Sequence, residues 1–165
     1  MSTDKTITLI AYDGTQETSF TVNVDWVKES ATLSNMLTDL GGADENTKIP
    51  LESVKADSLK RIVQYLEHIS ENQAEKVDMA TLRDKDLNDW EKKFCEMPQA
   101  EMFDMIMAAN YLDIKHLMDI SCKSVANSMR GLNAEEIRQK FGIENDFSPE
   151  EYSAAVEANR WLEEK

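Results

Sequence analysis

The residues of this chain that could do chemistry are few and badly spaced for it. Its two histidines and two cysteines, His68, His116, Cys95 and Cys122, are scattered without the close pairing a zinc site needs. A thiol nucleophile needs a base and an electropositive setting. Cys122 instead falls in an apolar helical stripe, where it reads as a small buried hydrophobe. The carboxylate pairs Glu135-Glu136, Glu150-Glu151 and Glu163-Glu164 are what any chain this acidic supplies. Two of them fall in first helical turns, where the helix dipole favours negative charge. No GxxxxGK[ST] or GxGxxG loop is present to cradle a phosphate. No catalytic residue, metal or cofactor is therefore assigned, and the residue types point away from an enzyme.

Charge narrows the partners. Thirty-two Asp and Glu stand against 18 Lys and Arg, a formal charge of −14. Binding to polyphosphate needs clustered cations that release counterions, so nucleic acid and anionic membrane are excluded as partners. No segment approaches the ~18 consecutive apolar residues of a membrane span. The amino terminus alternates polar and apolar residues instead of forming a signal peptide. Two cysteines without CxxC spacing suit a reducing compartment, and the expected location is cytoplasm and nucleus.

The chemistry that remains is recognition. Between Glu101 and Asn110, the residues Met102, Phe103, Met105, Ile106, Met107 and Ala109 leave almost no polar face, so this helix must be covered on more than one side. A domain core covers one side, and a helix-rich partner is the natural cover for the rest. Methionine is concentrated from Met97 to Met129, and flexible thioethers serve both cores and adaptable interfaces. Trp161, four residues from the end, is a large aromatic of the kind that anchors interfaces.

The elements that must position these residues are legible. Alternating runs Thr6 to Tyr12 and Thr18 to Val24 flank Asp13-Gly14, a hairpin signal. Short helical patches follow through Trp26-Val27 and through Leu33, Met36, Leu37 and Leu40 to Gly41-Gly42. Lys48 to Leu51 reads as a brief edge strand, where Pro50 is tolerated. Leu59, Ile62, Val63, Leu66 and Ile69 form an amphipathic stripe. The polar stretch from Ser70 to Asn88 is expected to be a mobile loop, with order resuming near Trp90 and Phe94. Asp113 is expected to cap a helix carrying Ile114, Leu117, Met118, Cys122, Val125 and Met129, ended by Arg130-Gly131. Asn133 with Glu136, and Ser148-Pro149-Glu150-Glu151, read as two further helix starts. Strands first and helices later give a mixed α/β fold with a small sheet and a helical carboxy-terminal half.

The stretch MFDMIMAANYLDIKHLMDISCKSVANSMRG, Met102 to Gly131, with IRQKFGIENDFSPEE, Ile137 to Glu151, resembles the S-phase kinase-associated (SKP) adaptors of cullin-type ubiquitin ligases. The likeness extends from the Leu9-to-Val24 hairpin through IPLESV to the closing NRWLEEK. It implies a BTB/POZ-like α/β unit, residues 1–130, with a helical extension, residues 131–165. It also implies a non-enzymatic SCF adaptor that bridges a cullin, which in turn carries a RING protein, to F-box substrate receptors. On that resemblance Asn110 and Tyr111 face the cullin, while Met102, Phe103, Ile106, Met118, Cys122, Val125, Phe141, Ile143 and Trp161 grip the F-box. Pro149 matches a proline that some relatives hydroxylate, although its place as a helix-start proline is explanation enough. The chain departs from the family at Tyr65-Leu66 and the lone His68, where a Trp-Cys pair and two histidines are usual, and IPLESV replaces IPLPNV. Two other functions are open: a structural or self-associating protein that binds F-box partners outside a ligase, dimerising when free, or an acidic enzyme whose site no motif reveals.

Overall fold

A computed structural model describes residues 5–14, 16–44, 47–72 and 86–162. Two strands, β1 (Thr6–Asp13) and β2 (Gln16–Asn23), pair antiparallel with Thr6 opposite Asn23 and Asp13 opposite Gln16. Gly14 turns between them at φ 67°, a left-handed conformation open to glycine at no steric cost. A third strand, β3 (Lys48–Leu51), joins β1 in parallel, so the sheet order is β2-β1-β3 and Pro50 lies on an edge. The period-two pattern decides which face is dry: Ile7, Leu9, Ala11, Val22, Ile49 and Leu51 are all buried.

Two short helices, α1 (Val24–Val27) and α2 (Ala31–Asp39), follow the hairpin. Helix α3 (Ala56–Asn72) then packs against β1, β2 and α1. It does so through Leu59, Ile62, Leu66 and Ile69, spaced at three and four residues on one face. Helix α4 (Asp89–Phe94) begins with a reciprocal capping box between Asn88 and Glu91. Helix α5 (Gln99–Tyr111) buries Met102, Met105, Ala108 and Ala109, and α6 (Lys115–Met129) buries Leu117, Ile120 and Ser121. Residues 1–127 form one compact unit and residues 128–165 a second, the division falling in the last turn of α6, just ahead of Arg130-Gly131. The second unit holds α7 (Ala134–Phe141), α8 (Pro149–Asn159) and a 3-10 turn, Arg160–Leu162.

Two local readings of the sequence are corrected. The polar stretch does not begin at Ser70, because α3 continues to Asn72, whose amide donates to the His68 carbonyl. Nor does it end at Asn88: Leu87 is buried and Asn88 caps α4. The rest of that stretch, residues 73–85, lies outside the described residues. Asp113 does not cap α6; it ends α5. It sits at φ 50°, with its own N–H donating to the Asn110 carbonyl and the Ile114 N–H donating to the Ala109 carbonyl. That pair of bonds is a Schellman stop, and aspartate is among the few residues that tolerate its left-handed position.

An aromatic cluster ties α3, α4 and α6 together. The Tyr65 ring lies close to Trp90, Phe94 and His116, and His68 stacks on Trp90 at 3.6 Å and 3° between planes. Tyr65 is 1 % exposed and its Oη lies 2.6 Å from His116 Nδ1. Burial, reinforced by the fields of Glu29, Glu91 and Asp119, pushes the phenol far above its ordinary pKa. The hydroxyl therefore keeps its proton and donates it to the imidazole.

Candidate protein-interaction surface

The carboxy-terminal end of α5 is built as a platform. Its last carbonyls are beyond intrahelical partners, and the start of α2 satisfies them. The Ser30 hydroxyl donates to the Leu112 carbonyl, Thr32 Oγ1 donates to the Tyr111 carbonyl at 2.9 Å, and the Ala31 N–H donates to the Asp113 carbonyl at 3.5 Å. Ser30 Oγ also accepts from the Leu33 N–H at 3.1 Å, so one buried hydroxyl caps α2 and fastens it to α5. The positive end of α2 thus meets the negative end of α5. The backbone of Asn110 and Tyr111 is fixed by these bonds. Their side chains are exposed, Tyr111 at 39 %.

The residues assigned to the second partner divide between the two units. In the first, Phe103 and Cys122 are exposed, and Ile106, Met118 and Val125 are half-buried along the margin of the core. Met118, Cys122 and Val125 recur at i, i+4 and i+7 on one face of α6. Met102 is not on this surface: at 5 % exposure it belongs to the core, because it shares the inner face of α5 with Met105 and Ala109. Cys122 is not the buried thiol its apolar stripe predicted, since it falls between the buried positions Ile120-Ser121 and the margin of α6. Partial desolvation, then the field of Asp119, raises its pKa and keeps it a thiol. Cys95 is buried, which pushes its thiol up to about 11.

In the second unit Phe141 is half-buried, while Ile143 and Trp161 are 54 % and 62 % exposed. Gly142, at φ 64°, ends α7 and lets the Ile143 N–H reach the Arg138 carbonyl. Pro149 is exposed at the first turn of α8, behind a capping box in which the Ser148 N–H donates to Glu151 Oε2 at 2.9 Å. The Ser148 N–H and hydroxyl hold the Glu151 carboxyl below its ordinary pKa. Phe147, Tyr152 and Val156 are also about half exposed and escaped the sequence reading. Tyr152 and Val156, four apart on α8, were signalled by their spacing. Met107 and Leu40, at 68 % and 61 %, were missed as well.

No reactive constellation accompanies these surfaces. A cleft of about 480 Å³ between α3 and α4 carries Arg61, Glu67, His68, Glu71, Trp90 and Lys93. Its imidazole is committed to the Trp90 face and to the Asn72 amide, and Arg61 is paired with Glu101 at 2.9 Å. Among the described residues no three His, Cys, Asp or Glu side chains come together as a metal site, and no helix is long and apolar enough to cross a membrane.

A small mixed sheet covered by helices, a capped helix end presenting an aromatic side chain, and a helical extension with exposed apolar residues define a POZ-type protein-interaction module. Comparison with known proteins gives it a family. Residues 5–71 match the Skp1 family tetramerisation domain and residues 115–162 the Skp1 family dimerisation domain. Among similar proteins, the E3 ubiquitin ligase complex SCF subunit sconC of Neosartorya fischeri is 40% identical over 161 residues, covering 96% of this chain and 99% of that protein. The protein of the same name from Aspergillus terreus is 39% identical over 166 residues, covering 99% and 100%. The chain belongs to the Skp1 family.

Proposed function

We propose that this protein is the non-catalytic adaptor of an SCF-type E3 ubiquitin ligase, acting in cytoplasm and nucleus. A cullin seats on Asn110 and Tyr111. An F-box receptor is gripped by Phe103, Ile106, Met118, Cys122 and Val125 in the first unit and by Phe141, Ile143 and Trp161 in the second. The observation that carries this reading is the platform at the end of α5. Four residues of chain, Ser30 to Leu33, are spent on holding the backbone beneath Tyr111, while the ring itself is left uncovered. A fixed, exposed aromatic side chain loses little entropy on binding and suits an interface anchor. The family and the sconC names are consistent with ligase assembly, with the RING protein arriving on the cullin.

The exposure of Ile143 and Trp161 also favours self-association when no receptor is bound, because large apolar side chains left in water promote contact between copies. The test is Tyr111→Lys, which places a charge where an aromatic must be desolvated. Binding to a recombinant cullin amino-terminal domain falls by at least roughly tenfold, and binding to an F-box domain stays near that of the parent. Equal loss of both partners with an unchanged circular dichroism spectrum would sink the two-surface reading.

A further inference from the structure

We propose that the cullin seat does not end at Asn110 and Tyr111 but continues one turn back along α5, with Met107 as a second apolar anchor packed by the same partner. The inference rests on the cullin reading above and names a residue that reading leaves out. Phe103, Met107 and Tyr111 recur four apart, so they lie along one line of the helix, roughly 12 Å from end to end. The opposite face is spent on the core through Met102, Met105, Ala108 and Ala109. Met107, at 68 %, is the most exposed large hydrophobic side chain among the described residues.

Charge marks the strip independently. In a chain of formal charge −14, the two carboxylates of α5 are both drawn away to α3 and its approach: Glu101 to Arg61 at 2.9 Å, and Asp104 to Lys55 at 2.7 Å. What remains between Phe103 and Tyr111 on the exposed side is Met107 and the neutral amide of Asn110. Charge depletion with Met and aromatic enrichment is the composition of an interface core.

The choice of the cullin as occupant follows from helix geometry. Side chains on a helix lean toward its amino terminus, so the Tyr111 ring overlies the turn that carries Met107. A partner that covers the ring meets Met107 next. Phe103, a further turn away, is reached last.

The test uses the full chain, titrated separately with a recombinant cullin amino-terminal domain and with an F-box domain. Met107→Asp weakens the cullin by roughly tenfold or more and leaves the F-box domain within about twofold. The melting temperature is unchanged because the side chain faces water, and Met107→Leu keeps the parent affinity. If Tyr111→Lys weakens the cullin and Met107→Asp does not, the seat stops at Asn110 and the proposal is overturned. Loss of F-box binding alone would assign Met107 to the receptor. A change confined to sedimentation of the free protein would assign it to a second copy. Indifference of the cullin to both substitutions would remove the underlying cullin reading along with its extension.

Discussion

Ser30→Ala is the sharpest test of how the platform is built, because one hydroxyl there makes two bonds between segments 82 residues apart. Alanine removes the cap of α2, worth about 1 kcal/mol. It also removes the donor to the Leu112 carbonyl, and with Leu112 fully buried the orphaned carbonyl adds about 1–2 kcal/mol. Together the loss is about 2–3 kcal/mol, or roughly 5–10 °C in melting temperature for a chain of this size. Thr32→Val removes a single bond from an exposed hydroxyl and costs only about 0.5 kcal/mol. Urea titration followed by tryptophan emission in a Trp161→Phe background reads the first unit alone, through Trp26 and Trp90. Cullin affinity falls in the Ser30 variant although Ser30 is buried and touches no partner, because the backbone under Tyr111 is loosened. A Ser30→Ala midpoint within about 0.5 kcal/mol of the parent would refute the idea that this hydroxyl joins α2 to α5.

Two further outcomes follow from the titratable groups. With an Ellman-type thiol reagent, Cys122 reacts in the native protein and Cys95 only on unfolding; equal reactivity of the two would contradict the burial of Cys95. Glu151 has a folded pKa below its ordinary value of 4.5, so its cap stabilises α8 fully above that value and loses the effect as pH falls through the lowered one. A carboxyl chemical-shift titration showing Glu151 at or above the ordinary value would remove that contribution.

The sheet was legible because its strands obey a period of two that burial then enforced: Ile7, Leu9 and Ala11 share one face, and Asp13-Gly14 makes the only turn that fits between them. The helix starts at Asn133 and Ser148 were legible because each capping signal is local, complete within four residues. Asp113 was misread for the same reason. An aspartate before a helix and an aspartate after one have similar neighbours, and what separates them here is the backbone, at φ 50°, together with an α2 terminus arriving from 82 residues earlier. The site was legible by residue type only in part. An apolar stripe specifies which side chains avoid water, but not which of them the protein's own core will take. Met102 and Met107 are the same residue type on the same helix, and the core chose the first.

That choice explains why the chain can be both sticky and acidic. A helix with almost no polar face would ordinarily draw copies of itself together, and here Phe103, Met107, Tyr111, Ile143 and Trp161 all remain in water. Removing them would forfeit binding. The chain instead carries an excess of 14 negative charges, which repels like copies at long range. On α5 those charges are held to the side of the apolar strip by Arg61 and Lys55 and do not cross it. Repulsion at a distance and a neutral surface at contact range together disfavour casual association while leaving the strip open to a partner that brings basic groups to its rim. Salt tests the division of labour. Raising ionic strength screens the long-range field, so it slows association with a basic partner while changing the dissociation rate little, since that rate is set by the uncharged contacts at the centre. A dissociation rate that rises steeply with salt would place charged pairs, not Tyr111 and its neighbours, at the core of the interface.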